Sequence, residues 1–190
     1  MPSIRTTYWL AILVLAGVGY LFFFERTFES TTEHARRARQ VLAVSGDQVE
    51  RIKMHRDAWT SATIERTGPD GFRLTEPAEH AVDGSAVAKL LSALEFLEFK
   101  DALPGEAASA RRLQEYGFDP GRLEVDLGIA DGREPRLTFG ATPPLGGGVY
   151  LRVSDNDTVF VVDSAIFDLF DKELDKILEA GDQAPTHEGG

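Results

Sequence analysis

Hydrophobic positions along this chain follow three rhythms. From Tyr8 to Phe24 they run on without a charged residue, 17 positions in all. From Val49 onward, short stretches alternate apolar and polar side chains, the period of a strand with one buried face. Between them, residues 83–97 and 163–178 space their apolar positions three and four apart, the period of an amphipathic helix. Val49–Arg56, Thr60–Thr67 and Phe72–Thr75 read as a three-stranded meander. Its second turn, Gly68-Pro69-Asp70-Gly71, has the right chemistry, because proline fixes φ and glycine supplies positive φ. Glu76, Glu79 and His80 flank Pro77 and read as a solvated loop. Asp83 predicts a helix N-cap, with Val87, Leu90, Leu91, Leu94 and Leu97 on one face behind it. Residues 99–103 predict a short strand, and Glu106–Tyr116 a second helix closed by Gly117.

The second half repeats the scheme. Leu123, Val125, Leu127 and Ile129 alternate on one strand face, Asp131-Gly132 turns the chain, and residues 136–140 return. Val149–Val153 and Thr158–Val162 predict a hairpin, and Asp163-Ser164 opens a helix to about Leu178. The fold class expected is α+β: an N-terminal transmembrane helix, then an antiparallel sheet built from two meander-plus-helix units. The expected organisation is a short tail (1–7), an anchor (8–24), a polar linker (25–46), the α+β domain (47–180) and a disordered tail (181–190). Within the linker, Glu33–Val44 is rich in helix formers.

The first rhythm carries an address. Seventeen residues at about 1.5 Å each, extended by Thr6 and Thr7, cover roughly 26–28 Å, close to a bilayer's hydrocarbon thickness. Tyr8 and Trp9 at one end, and Tyr20 and Phe24 toward the other, suit the interfaces. The run ends Phe22-Phe23-Phe24-Glu25-Arg26, bulky and then charged, which a signal-peptidase site is not. An uncleaved anchor in the lipid bilayer is expected. Arg5 before the helix and Arg26, Arg36, Arg37 and Arg39 behind it, with acids interspersed, leave the side of the membrane open.

Charge narrows the partners. Of 20 basic and 31 acidic residues, 15 and 28 lie from residue 45 onward, a net of −13 for that part. Such a surface repels phosphate backbones, so no nucleic-acid partner is expected. The chain has no cysteine, which excludes disulfides, thiol catalysis and a lipoprotein anchor.

No motif points to catalysis, a cofactor or a metal. Gly140-Ala-Thr-Pro-Pro-Leu-Gly-Gly-Gly148 lacks the Lys-Ser/Thr ending and following helix of a phosphate loop. Its tip, Thr142, Pro143, Pro144, Leu145, Gly146, Gly147 and Gly148, is instead the candidate partner-contact loop. Asp155-Asn156-Asp157 lacks the glycine and distal glutamate of a calcium loop. The four histidines (34, 55, 80 and 187) are not paired at helical spacing. No serine sits in a nucleophile elbow.

An ordered series of segments carries a resemblance. Phe72-Arg-Leu-Thr-Glu-Pro77, the Asp83 helix with Leu90-Leu-Ser-Ala-Leu94, Tyr116-Gly-Phe-Asp-Pro120, Leu137-Thr-Phe-Gly140, Thr142-Pro-Pro-Leu-Gly-Gly-Gly-Val-Tyr150 and Val159-Phe-Val-Val-Asp163 follow one another. Over residues 47–180 this series resembles the bacterial domain of unknown function 4340 (DUF4340), with Phe72 where members often carry tryptophan. The resemblance implies a single-pass protein of the inner membrane with a periplasmic domain. It also implies association with ABC-type transport systems of the gliding-motility kind, and no catalytic residues. The expected function is therefore a non-enzymatic extracytoplasmic interaction module, accessory to an ABC-type transporter or other envelope complex. A tethered periplasmic domain that binds a small molecule or envelope polymer is the alternative.

Overall fold

The computed structural model describes residues 38–68 and 71–182. The expected anchor, the linker up to residue 37, the turn centre at positions 69 and 70, and the tail from 183 lie outside the described residues. Among the described residues, no helix is long and apolar enough to cross a membrane.

The packed unit begins at Gln40 rather than at residue 47. Gln40 bridges to Glu98, the Val41 amide donates to the Leu97 carbonyl at 2.9 Å, and Leu42 and Val44 are buried. The expected linker therefore ends earlier, and its described part, 38–44, forms no helix. Leu42 and Val44 stand two apart, the spacing of an extended segment, and burying both outweighs the helix propensity of the flanking residues.

Among the described residues nine strands follow: β1 (Val49–His55), β2 (Ser61–Arg66), β3 (Phe72–Glu76), β4 (His80–Ala81), β5 (Phe99–Leu103), β6 (Leu123–Ile129), β7 (Arg136–Phe139), β8 (Val149–Val153) and β9 (Val159–Val162). They form one sheet of order β4-β3-β2-β1-β6-β7-β8-β9-β5, antiparallel at each pairing. The architecture is α+β, as the alternation of rhythms implies. Two four-stranded meanders, β1–β4 and β6–β9, meet where β1 pairs β6. Helix α1 (Gly84–Glu95) follows the first and α3 (Ser164–Asp182) the second. Between them, β5 crosses to the far edge and pairs β9.

Two local expectations change. The segment around His80 is not wholly loop: His80 and Ala81 pair with Leu74 and Arg73 as β4, a strand too short to leave a pattern. The helix expected over 106–116 is split into a 3-10 turn, Glu106–Ala108, and α2, Ala110–Glu115. Ser109 breaks it with extended backbone, φ −110° and ψ 122°.

Strand alternation puts the main core on one face. Along β6 the residues alternate buried and half-buried without a break. Ile52, Met54, Ile64, Leu74, Leu123, Leu127, Leu137 and Leu151 form the floor. Val87, Leu90 and Leu94 of α1 and Phe167, Phe170 and Leu174 of α3 close it. Each such side chain contributes about 1.5–3 kcal/mol on leaving water. Phe139 meets the rings of Phe167 at 5.8 Å and Phe170 at 6.1 Å, which fixes where α3 crosses β7. Both helices start on an aspartate: Asp83 accepts from the Ser85 amide at 2.9 Å and Asp163 from the Ala165 amide at 3.0 Å.

Candidate functional site

Burying one set of alternate residues sends the other set to the opposite face. That second face divides in two. Over β5, β8 and β9 the segment from Glu106 to Phe118 builds a small apolar cluster, with Ala107, Phe118 and Val159 buried against Leu103, Leu113, Tyr116 and Tyr150. The segment is held by the Ala107 amide on the Asp157 carbonyl and the Ala141 amide on the Tyr116 carbonyl. Glu106 accepts from Arg112 and from the Tyr116 hydroxyl, and these two hold its carboxyl below the usual range. Gly140 allows the close approach, since a Cβ there would collide with the Tyr116 carbonyl oxygen.

The remaining half, over β1, β2, β3, β6, β7 and β8, is an open groove of about 920 Å³. It is lined by charged and hydroxyl side chains, among them Arg51, Lys53, Glu65, Arg136, Thr138 and Arg152. Register arranges them. His55 lies opposite Glu124, Glu124 opposite Thr138, and Thr138 opposite Arg152, one row across four strands. Lys53, Asp126 and Arg136 form the next row. Such cross-strand neighbours interact directly. Arg136 pairs with Asp126 and lies 3.5 Å from Glu124 Oε2, the same oxygen that stands 3.2 Å from His55 Nε2. Arg51 pairs with Glu134 at 2.6 Å, and Lys53 stands 3.7 Å from Glu76, which also accepts from the Thr63 hydroxyl.

Arg152 differs from these cations. Its guanidinium forms no ion pair among the described residues, and its Nε is buried without a hydrogen-bond partner. His55 Nδ1 is in the same condition at the other end of the row. A buried polar atom left unpaired costs free energy, so the row is held at a cost at both ends.

The loop expected to contact a partner, Thr142 to Gly148, joins β7 to β8 and does not line the groove. Pro144 and Leu145 form its turn, and Leu145 is fully exposed at 101%. Gly146 and Gly147 have φ of 71° and 81°, the left-handed region where glycine is free of strain. The loop is pinned: the Gly146 amide donates to the Pro143 carbonyl, and Lys100 Nζ donates to the Gly147 carbonyl at 2.7 Å while pairing with Asp163. The β1–β2 loop leaves the sheet at the same strand end. It carries Trp59, 93% exposed, on a turn closed by Asp57. Backbone amides of Trp59 and Thr60 hold the Asp57 carboxyl below its usual range. The proposed interface residues of the anchor, Tyr8, Trp9, Tyr20 and Phe24, lie outside the described residues.

A smaller cavity of about 160 Å³ lies between the start of α1 and the end of α3, beside Asp83, Lys89 and Ile177. Its Glu173 is 3% exposed and accepts from Lys176 at 2.6 Å. At that size it falls below the volume of an ordinary ligand pocket.

Sequence reasoning found the loop and missed the groove. Its signal was present as the polar half of the alternation in β1, β6, β7 and β8, but the row from His55 to Arg152 spans 97 positions (152 − 55) and exists only through register.

Among the described residues, the antiparallel sheet has one face closed by helices and the other left half open. The family model described as "Domain of unknown function (DUF4340)" matches residues 72–180, more than half of the 190-residue chain. The chain belongs to that family. The match starts at β3, so β1 and β2, at the middle of the sheet, precede it. No curated protein and no solved structure matches the chain.

Proposed function

We propose that this protein is a single-pass membrane protein anchored by residues 8–24, whose α+β domain is a non-enzymatic, extracytoplasmic interaction module. It works beside an ABC-type transporter or another envelope complex, in the inner membrane with the domain on the periplasmic side. The observation that carries the reading is the half-open face: a folded domain that closes one sheet face completely leaves an ordered, charged area on the other. The uncharged run from Tyr8 to Phe24 supplies the attachment. The pinned loop presenting Leu145 supplies a second contact point.

The same groove supports a second reading, a tethered domain that captures a small molecule or envelope polymer, because about 920 Å³ is at the upper end of ligand-pocket volumes. Its charged, open lining favours a protein surface over a small apolar ligand.

The address has a direct test, since the chain has no native cysteine. A Leu145→Cys variant of the full chain is alkylated by a membrane-impermeant maleimide in intact cells with permeabilised outer membranes. Labelling only after lysis places the domain in the cytoplasm and sinks the reading. The partner has its own test: transporter subunits co-purify with the full chain from gently solubilised membranes, and their absence after cross-linking contradicts the accessory role.

A further inference from the structure

The two ends of the sheet differ as much as its two faces. Strand pairing brings the β1–β2 loop, the β7–β8 loop, the start of β5 and the start of α3 to one end. Among the described residues three large hydrophobic side chains stand exposed: Trp59, Phe96 and Leu145. Trp59 and Leu145 tip two of the loops at this end, and Phe96 lies just before the Leu97–Glu98 step that leads into β5. The loops at the opposite end carry Asp131, Arg133, Glu134, Asp155 and Asp157 instead.

The chain also arrives at the apolar end. Gln40 bridges to Glu98, one residue before β5, and the Val41 amide bonds to Leu97. Fifteen residues, 25–39, separate Gln40 from the uncharged run that closes at Phe24. Fully extended they reach at most about 50 Å. The opposite end lies a further strand length away, about 23 Å for the seven residues of β1. An anchor in residues 8–24 therefore holds the Trp59 and Leu145 end, on average, the nearer to a bilayer. Both tips are held in place: Asp57 accepts from the Trp59 and Thr60 amides at 2.8 and 2.7 Å, and Lys100 fixes the Gly147 carbonyl. Neither tip is charged, since Ala58-Trp59-Thr60-Ser61 and residues 140–149 contain no ionisable side chain. The two loops are three strand spacings apart, roughly 14 Å, so one flat surface meets both.

We propose that the Trp59 and Leu145 tips rest in the interface of the lipid bilayer that holds the anchor, so that the domain stands end-on to the membrane. The inference rests on the anchored-domain reading and assigns the Leu145 contact to lipid. Tryptophan suits the headgroup level, because its ring is apolar and its N–H still meets water. The acids at this end, Asp57, Glu79, Asp119 and Asp163, oppose an anionic surface, so the contact is apolar and not electrostatic. It is also shallow and reversible, and Leu145→Cys stays open to a maleimide added from the aqueous side. Standing end-on, the domain turns its charged groove along the membrane plane, toward a neighbouring membrane protein.

The test uses the full chain in liposomes of phosphatidylcholine, alone or mixed with phosphatidylglycerol, with and without lipid brominated near the headgroup. The chain has two tryptophans, so Trp9→Phe leaves Trp59 as the one reporter. Brominated lipid is expected to lower Trp59 emission about twofold or more, because an interfacial group sits about 5–10 Å into the headgroup boundary. The loss is the same with and without phosphatidylglycerol. Leu145→Glu, which places a charge on the second tip, cuts that loss to about half or less while keeping the thermal unfolding midpoint of the parent. A reporter at the opposite end, Asp157→Trp in a chain carrying Trp9→Phe and Trp59→Phe, loses no emission. Equal losses at both ends, a loss that needs phosphatidylglycerol, or indifference to Leu145→Glu overturns the proposal. If the chain floats with the liposomes and resists carbonate extraction while Trp59 is unquenched, the tip contact falls alone. If the chain does not float, the anchored-domain reading falls and the tip contact falls with it.

Discussion

The two faces of the sheet come from the same strands and the same backbone, and they have opposite chemistry. Under α1 and α3 the inward residues of β1, β2, β6, β7 and β8 are apolar and almost wholly buried. One position along each strand, the outward residues are Arg51, Lys53, Glu65, Asp126, Arg136 and Arg152. The inner face therefore sets whether the chain folds, and the outer face sets what the folded chain can meet. The small cluster around Phe118 shows that the outer face can be closed where closure is needed. Over the groove it is left open.

This contrast can be broken at either face. The largest effect is expected in the main core. Phe170→Ala removes a ring packed against Phe139 and lowers stability by about 3–5 kcal/mol, read by urea denaturation of the full chain in detergent. Next is Gly140→Ala, where a Cβ collides with the Tyr116 carbonyl oxygen. The expected loss is about 1–3 kcal/mol, seen in the same measurement, because backbone rather than a flexible side chain must move.

Acid has a smaller, graded effect. The Asp83 carboxyl is held low by the Ser85 hydroxyl and then the Ser85 amide, and Asp163 by Lys100 and then the Ala165 amide. Asp131 is held low by the Arg133 amide and side chain. A carboxyl depressed in the folded state adds stability that is fully present above its unfolded pKa and is lost as pH falls through its folded value. The midpoint of thermal unfolding should therefore drop below about pH 4, and Asp83→Ala should flatten that drop. The smallest effect belongs to the outer face. Lys53→Gln breaks a 3.7 Å pair with both partners largely exposed and shifts stability by less than about 0.5 kcal/mol. A loss from Lys53→Gln as large as that from Phe170→Ala would end the distinction between the faces.

Much of the inner face was legible in the sequence. The alternation in Leu123–Ile129, the Asp83 cap with its leucine stripe, and the paired meanders each have a local cause that pattern reading detects. What escaped depended on distance along the chain. Residues 40–46 join the core through Leu97 and Glu98, nearly sixty positions away, and β5 finds β9 across the whole second meander. His80–Ala81 is strand only because β3 offers it an edge. The exposed tip at Leu145 was found because proline and glycine chemistry is local. The groove was not, because Arg51, Lys53, Asp126, Arg136 and Arg152 are ordinary surface residues until register brings them to one face.

The central claim, that the uncovered face is the face that meets a partner, is tested most directly by photo-cross-linking in native membranes. A photoreactive residue is placed in the full chain at Lys53 or Glu134 on the outer face, and at Ser92 or Asp168 on the exposed sides of α1 and α3. The account predicts cross-links to a transporter subunit from the first pair and none from the second. Cross-links from the helices alone, or equally from both faces, would contradict it.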